Sequence, residues 1–122
     1  MARITALGGV FFHSPDPQAL ALWYRDTLGL SIEVWGGAII HSEGHGPAQG
    51  TWAPFREDAH PFSPSSREFM INFAVDDLDG LLADLEAKGV EVKGHQHQDG
   101  VGKFAWILDP DGTKVEFWEP AR

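Results

Sequence analysis

FHSPDPQALALWYRDTLGLSIE, residues 12–33, is answered further along the chain by FAVDDLDGLLADLEAKGVEVK, residues 73–93. Each stretch reads as an apolar strand, an acidic turn, a leucine-bearing helix, a glycine stop and the start of another strand. Phe12 aligns with Phe73, Asp16 with Asp77, Leu20 with Leu81, Gly29 with Gly89 and Ile32 with Val92, with one extra residue absorbed in the first helix. A duplicated unit therefore organises the protein, and the place to look for a site is where its two copies meet.

The helix signals are local and strong. Asp16 can accept hydrogen bonds from the free amides of a first turn that Pro17 pre-shapes, and Asp77 repeats the device. Gly29 and Gly89 supply stops. Leu20, Trp23 or Tyr24, and Thr27 or Leu28 form an inward stripe on the first helix, and Leu78, Leu81, Leu82 and Leu85 do so on the second.

Strand character appears at 7–13, 31–35, 38–41, 51–55, 69–75, 90–93, 104–108 and 113–118, which gives each copy a strand, a helix and three further strands. Gly36-Gly37 and Asp109-Pro110-Asp111-Gly112 carry hairpin chemistry. The expected fold is α+β: two βαβββ modules forming curved mixed sheets around an open cleft. Module one covers 1–55 and module two 69–122 of a single domain, joined by a polar, proline-bearing linker at 56–68. SEGHGPAQG at 42–50 reads as a hairpin loop, with a flap beside a site as the alternative.

Composition narrows the partners. A chain of 122 residues suits one compact domain. With no cysteine, any metal must be held by His, Asp or Glu. A net charge of -9 and scattered basic residues argue against nucleic acid. No apolar run is long enough to cross a bilayer, and MARITALGGVFF reads as a first strand and not as a signal peptide, so a cytoplasmic location is expected. The expected partners are a small molecule and a second copy of the chain.

Three stretches, SPDPQALALWYRDTLGL, FAVDDLDGLLADLEAKGVEV and FAWILDPDGTKVEFWEP, together resemble the vicinal oxygen chelate superfamily, which includes glyoxalase I, bleomycin- and fosfomycin-resistance proteins and extradiol dioxygenases. The resemblance implies paired modules around a cleft, often in a homodimer. It also implies a metal held by four side chains from the first and last strands of each module. On this chain the first-strand positions, found by counting back from Asp16 and Asp77, are Gly9 and Met70. The last-strand position of module two is Glu116; that of module one lies among Gly50, Thr51, Trp52 and Ala53. A catalytic zinc commonly needs three protein ligands, and a thioether suits soft copper better than zinc, iron or manganese.

These residues lead to a metal-independent binder of a small organic molecule, needing no cofactor. Two alternatives stay open: a metal-dependent lyase or dioxygenase whose divalent ion recruits other ligands from His41, His95, His97 or a second copy of the chain, and a metal-free isomerase or lyase moving a proton with Glu116 or His13. Glu116 is accordingly a ligand anchor, a catalytic base or an inherited polar residue. Strand alternation adds Phe11, His13, Met70 and Asn72 to the expected cleft lining, with His41 at a strand end and Trp52, Trp106 and Trp118 as an aromatic surround.

Overall fold

The computed structural model describes residues 2–41 and 49–121. Along the chain run β1 (Ile4–Ser14), α1 (Pro17–Leu28), β2 (Ala38–His41), β3 (Gln49–Arg56), β4 (Phe69–Val75), α2 (Leu78–Ala87), β5 (Gly94–Gln98), β6 (Gly102–Leu108) and β7 (Lys114–Pro120). The capping devices operate as the sequence predicts. Asp16 accepts from the Ala19 amide at 3.1 Å and Asp77 from the Gly80 amide at 3.0 Å. Gly29 closes α1 at φ 75°, a left-handed conformation that glycine adopts without Cβ strain.

All seven strands join one mixed sheet in the order β2-β3-β1-β4-β7-β6-β5. In each half the first strand lies parallel to the last, β1 with β3 and β4 with β7, and the halves meet through antiparallel β1 and β4. The offset that carries Phe12 onto Phe73 also carries Val10 onto Ile71, and these two are direct partners in the β1–β4 ladder. The pseudo-twofold axis of the repeat therefore passes between them, and the two halves join within one chain.

Both helices pack on the same face of the sheet. Under α1, Ala21, Ala38 and Trp52 form a core with Phe12, Leu20 and Tyr24. Under α2, Val75, Leu78, Ala105, Val115 and Phe117 do the same with Leu81, Leu82 and Leu85. Amphipathic helices need such a surface, and each module supplies one. The other face of the sheet is left for the site.

Two strand expectations change. Residues 31–35 form no strand: the Glu33 amide donates to the Gly37 carbonyl and the Gly36 amide to the Glu33 carbonyl, so the segment closes on itself as a turn. Module one accordingly contributes three strands where four were expected. In module two the strand falls on 94–98 and not on 90–93, because pairing with β6 starts where Gly94, lacking a Cβ, admits the Trp106 indole beside it. Glycine and histidine have modest strand preference, and the β6 ladder overrides it.

The linker is more than a solvated connection. Phe62 is 1% exposed and packs between His13, at a ring separation of 4.8 Å, and Phe55, at 5.7 Å. Ser65 donates to the Gly112 carbonyl, and the Pro61 carbonyl accepts from Lys114. Burying a phenylalanine contributes roughly 2–3 kcal/mol, enough to lay the linker across one end of the open face. Among the described residues no helix is long and apolar enough to cross a membrane.

Candidate functional site

Register across the four central strands assembles the site in two rows on the face opposite the helices. One row runs Thr51, Gly9, Asn72, Glu116 and on to Trp106; the other runs Ala53, Phe11, Met70, Lys114 and on to Leu108. The repeat exchanges the rows: Gly9 corresponds to Met70, Phe11 to Asn72, Thr51 to Lys114 and Ala53 to Glu116. Residues paired across a ladder share a face, so each row is a line of neighbouring side chains.

This register answers the question left at the end of module one. The counterpart of Glu116 is Ala53, which is buried. The four positions around the pseudo-axis thus hold Gly9, Ala53, Met70 and Glu116. Gly9 is also closed to a side chain, since a Cβ there would collide with the Thr51 carbonyl oxygen on the adjacent strand. One carboxylate, one thioether and two residues without a donor do not fit a hard divalent ion.

Glu116 instead engages a protein donor. The Asn72 side-chain amide donates to Glu116 Oε1 at 2.7 Å, and Asn72 is only 3% exposed. Burial pushes the Glu116 carboxyl above its ordinary proton affinity, opposed by the Asn72 hydrogen bond and by the charge of Lys114. Asn72 fits because Gly8, where the β1–β4 register shifts, has no Cβ to occupy the space of the amide.

Lys114 is the residue that the sequence reading missed. Two positions before Glu116 on the same strand, it shares that face, and this parity was the available signal. It is 6% exposed; Nζ donates to the Pro61 carbonyl at 2.7 Å and stands 4.7 Å from the Trp106 ring centre. Burial lowers its proton affinity, with Glu116 acting in the opposite direction.

The other expected residues divide. Phe11, Met70, Asn72, Trp106 and Trp118 lie on the open face with Glu116. Trp118 stacks on Phe104 at 6.4 Å and its indole donates to the Val101 carbonyl. His13 shares the face but lies under the linker, with Nε2 3.1 Å from the Ala59 carbonyl, and makes no bond to the Asp16 cap. Trp52 is a correction: it is buried in the core beneath α1, 4.6 Å from the Tyr24 ring, because β3 pairs with β1 in the register that turns it toward the helix. The His41 backbone pairs with Gln49 at the sheet edge; its side chain and residues 42–48 lie outside the described residues.

His95 and His97 fall outside the strands expected from the sequence but stand on β5, paired with Ala105 and Lys103. Ala105 belongs to the α2 core, so both histidines point away from Glu116 and cannot share an ion with it. Among the described residues no three His, Asp or Glu side chains gather as a metal site. A hollow of about 690 Å³ opens elsewhere, between the start of α1, residues 32–36 and the end of β3. Of its three charged groups, Asp16 is engaged by the helix cap and Arg56 by Asp58, while Glu33 lies on the turn that closes residues 33–37.

A family model described as the Glyoxalase/Bleomycin resistance protein/Dioxygenase superfamily matches residues 7–117. No curated protein matches the chain. Among solved structures, methylmalonyl-CoA epimerase from Mycobacterium tuberculosis is similar with a TM-score of 0.66 and 23% identity, covering 98% of this chain and 90% of that one. A Streptomyces coelicolor methylmalonyl-CoA epimerase variant in complex with 2-nitronate-propionyl-CoA gives 0.67 and 21%, covering 98% and 100%. A hypothetical protein from Bacillus halodurans C-125 gives 0.64 and 13%, covering 99% and 96%. At these identities the likeness is one of fold.

Proposed function

The chain belongs to the glyoxalase/bleomycin resistance protein/dioxygenase superfamily, and from that premise we propose that it is a metal-independent member which binds a small organic molecule on the open face of its sheet. The observation that carries this reading is the Asn72–Glu116 hydrogen bond at 2.7 Å. The one ligand-grade carboxylate among the four equivalent positions has a lone pair committed to an amide proton. Phe11, Trp106 and Trp118 offer aromatic surface beside it, as a flat or amphipathic organic ligand requires.

A second reading is supported by the raised proton affinity of Glu116. A half-buried carboxyl whose proton affinity burial has raised is suited to accepting a proton, so a metal-free isomerase or lyase with Glu116 as the base extends the same site. His13 is less suited, being covered by the linker. An epimerase activity, the one named for two of the similar folds, calls for proton chemistry of this kind.

The deciding measurement is elemental analysis of protein purified without chelator or affinity metal. Substoichiometric transition metal, together with organic-ligand binding that shifts the Trp106 and Trp118 indole resonances, is the expected result. Near-stoichiometric metal that disappears in Glu116→Ala would sink the proposal. We further propose a homodimer, supported by Leu7, Val10 and Phe69, which stay exposed on the helix-bearing face at the β1–β4 junction; light scattering that finds only monomer at micromolar concentration would end that part.

A further inference from the structure

Lys114 is a buried cation with no ion-pair partner among the described residues. Arg3, Arg25, Arg56, Lys93 and Lys103, all more exposed, each lie beside a carboxylate. Lys114 retains 6% of its surface and has the Pro61 carbonyl and the Trp106 ring as its neighbours. An ammonium group carries three donors, and a backbone carbonyl satisfies one of them. Glu116 shares the face but forms no ion pair with Lys114, and taking a charge out of water with donors unfilled is costly.

The surroundings specify what would complete it. Glu116 is on the same strand and the same face, so it would repel a doubly charged group such as a phosphate about twice as strongly as a single planar carboxylate, which can meet Lys114 and leave Glu116 to the Asn72 amide. Met70 is directly opposite Lys114 across the β4–β7 ladder, Phe11 opposite Met70, and the Trp106 ring faces the ammonium itself. The acid group thus has an apolar, partly aromatic field on both sides.

We infer that Lys114 anchors the carboxylate of a small aromatic or otherwise apolar monocarboxylic acid, with the Pro61 carbonyl holding the ammonium in place before the ligand arrives. The charge-assisted bond sets the ligand's orientation, and the rings beside it grip the body. This inference rests on the reading of the open face as the ligand site.

The experiment is a nuclear magnetic resonance titration of the full chain with benzoate, phenylacetate and indole-3-acetate, each against its own primary amide. The indole signals of Trp106 and Trp118 report binding. The acids are expected to bind at least about tenfold more tightly than the amides, and the gap is expected to close in Lys114→Gln, which keeps a donor for Pro61 but no charge. The same spectra show whether that variant is folded; if it is not, Lys114→Met provides the neutral comparison. Equal affinity for acid and amide at the indoles would overturn the inference and leave the ligand site standing. A preference for acids that survives in the neutral variants would remove Lys114 as the anchor. No shift at either indole with any probe would overturn both the inference and the ligand-site reading.

Discussion

Asn72 on β4 and Glu116 on β7 are direct ladder partners, and the amide of the first donates to the carboxyl of the second at 2.7 Å. Their repeat counterparts, Phe11 and Ala53, are also ladder partners but carry no polar atom in their side chains. Duplication has thus been kept in the backbone and abandoned in the chemistry, leaving one polar corner in place of a symmetric ligand set.

Removing the acceptor strands a buried donor. Glu116→Ala is expected to destabilise the fold by about 1–3 kcal/mol, the cost of leaving the Asn72 amide unpaired. Glu116→Gln keeps an acceptor oxygen and no charge, and is expected to lie within about 1 kcal/mol of the parent. Urea denaturation at neutral pH separates the two; equal losses would mean the hydrogen bond is not what matters.

The proton affinities of the two charged neighbours give opposite pH dependences. Glu116 has a folded-state pKa above its ordinary 4.5, so as pH rises past 4.5 the unfolded chain loses its proton first, and the stability of the parent relative to Glu116→Gln falls until the folded carboxyl ionises too. Lys114 has a folded-state pKa below its ordinary 10.5, so as pH rises toward 10.5 the folded state loses its proton first, and stability relative to Lys114→Met rises. Thermal melts of parent and variants from pH 4 to 10.5 test both signs.

Gly9 is a packing constraint as well as a missing ligand. Gly9→Ala is expected to cost about 1–3 kcal/mol as Cβ meets the Thr51 carbonyl. Gly9→His should cost more and should not create zinc affinity, since Ala53 and Met70 offer no hard donor beside it. Calorimetric titration with zinc checks this; a submicromolar site in the variant would mean the strands separate more readily than the β1–β3 register suggests.

Phe62 holds the linker on the sheet. Phe62→Ala is expected to lower stability by about 3–5 kcal/mol and to raise amide exchange in 57–66 more than in β6 and β7. Uniform acceleration across the chain would show that the linker unfolds only with the whole.

Replacing both His95 and His97 by Ala should leave ligand binding at the Glu116 face unchanged, because β5 turns them to the other side of the sheet. Loss of binding in that double variant, with the fold intact, would contradict the register of β5 and β6.

The amino-acid sequence by itself determined the duplication, both helices with their aspartate caps and glycine stops, and the absence of a ligand at Gly9 and of a hard one at Met70. These are local signals: capping, helical periodicity and a count from Asp16 or Asp77 need no distant partner. Tertiary structure alone decided that Ala53 is the counterpart of Glu116, that Trp52 faces α1, that His95 and His97 share a strand but not the site, and that Phe62 and Pro61 of the linker close over His13 and Lys114. The reason is that a strand alternates its side chains with a period of two, so a shift of one residue in pairing with a distant strand exchanges its two faces. That register is set by contacts between β1, β3, β4 and β7, which no local stretch of the chain contains.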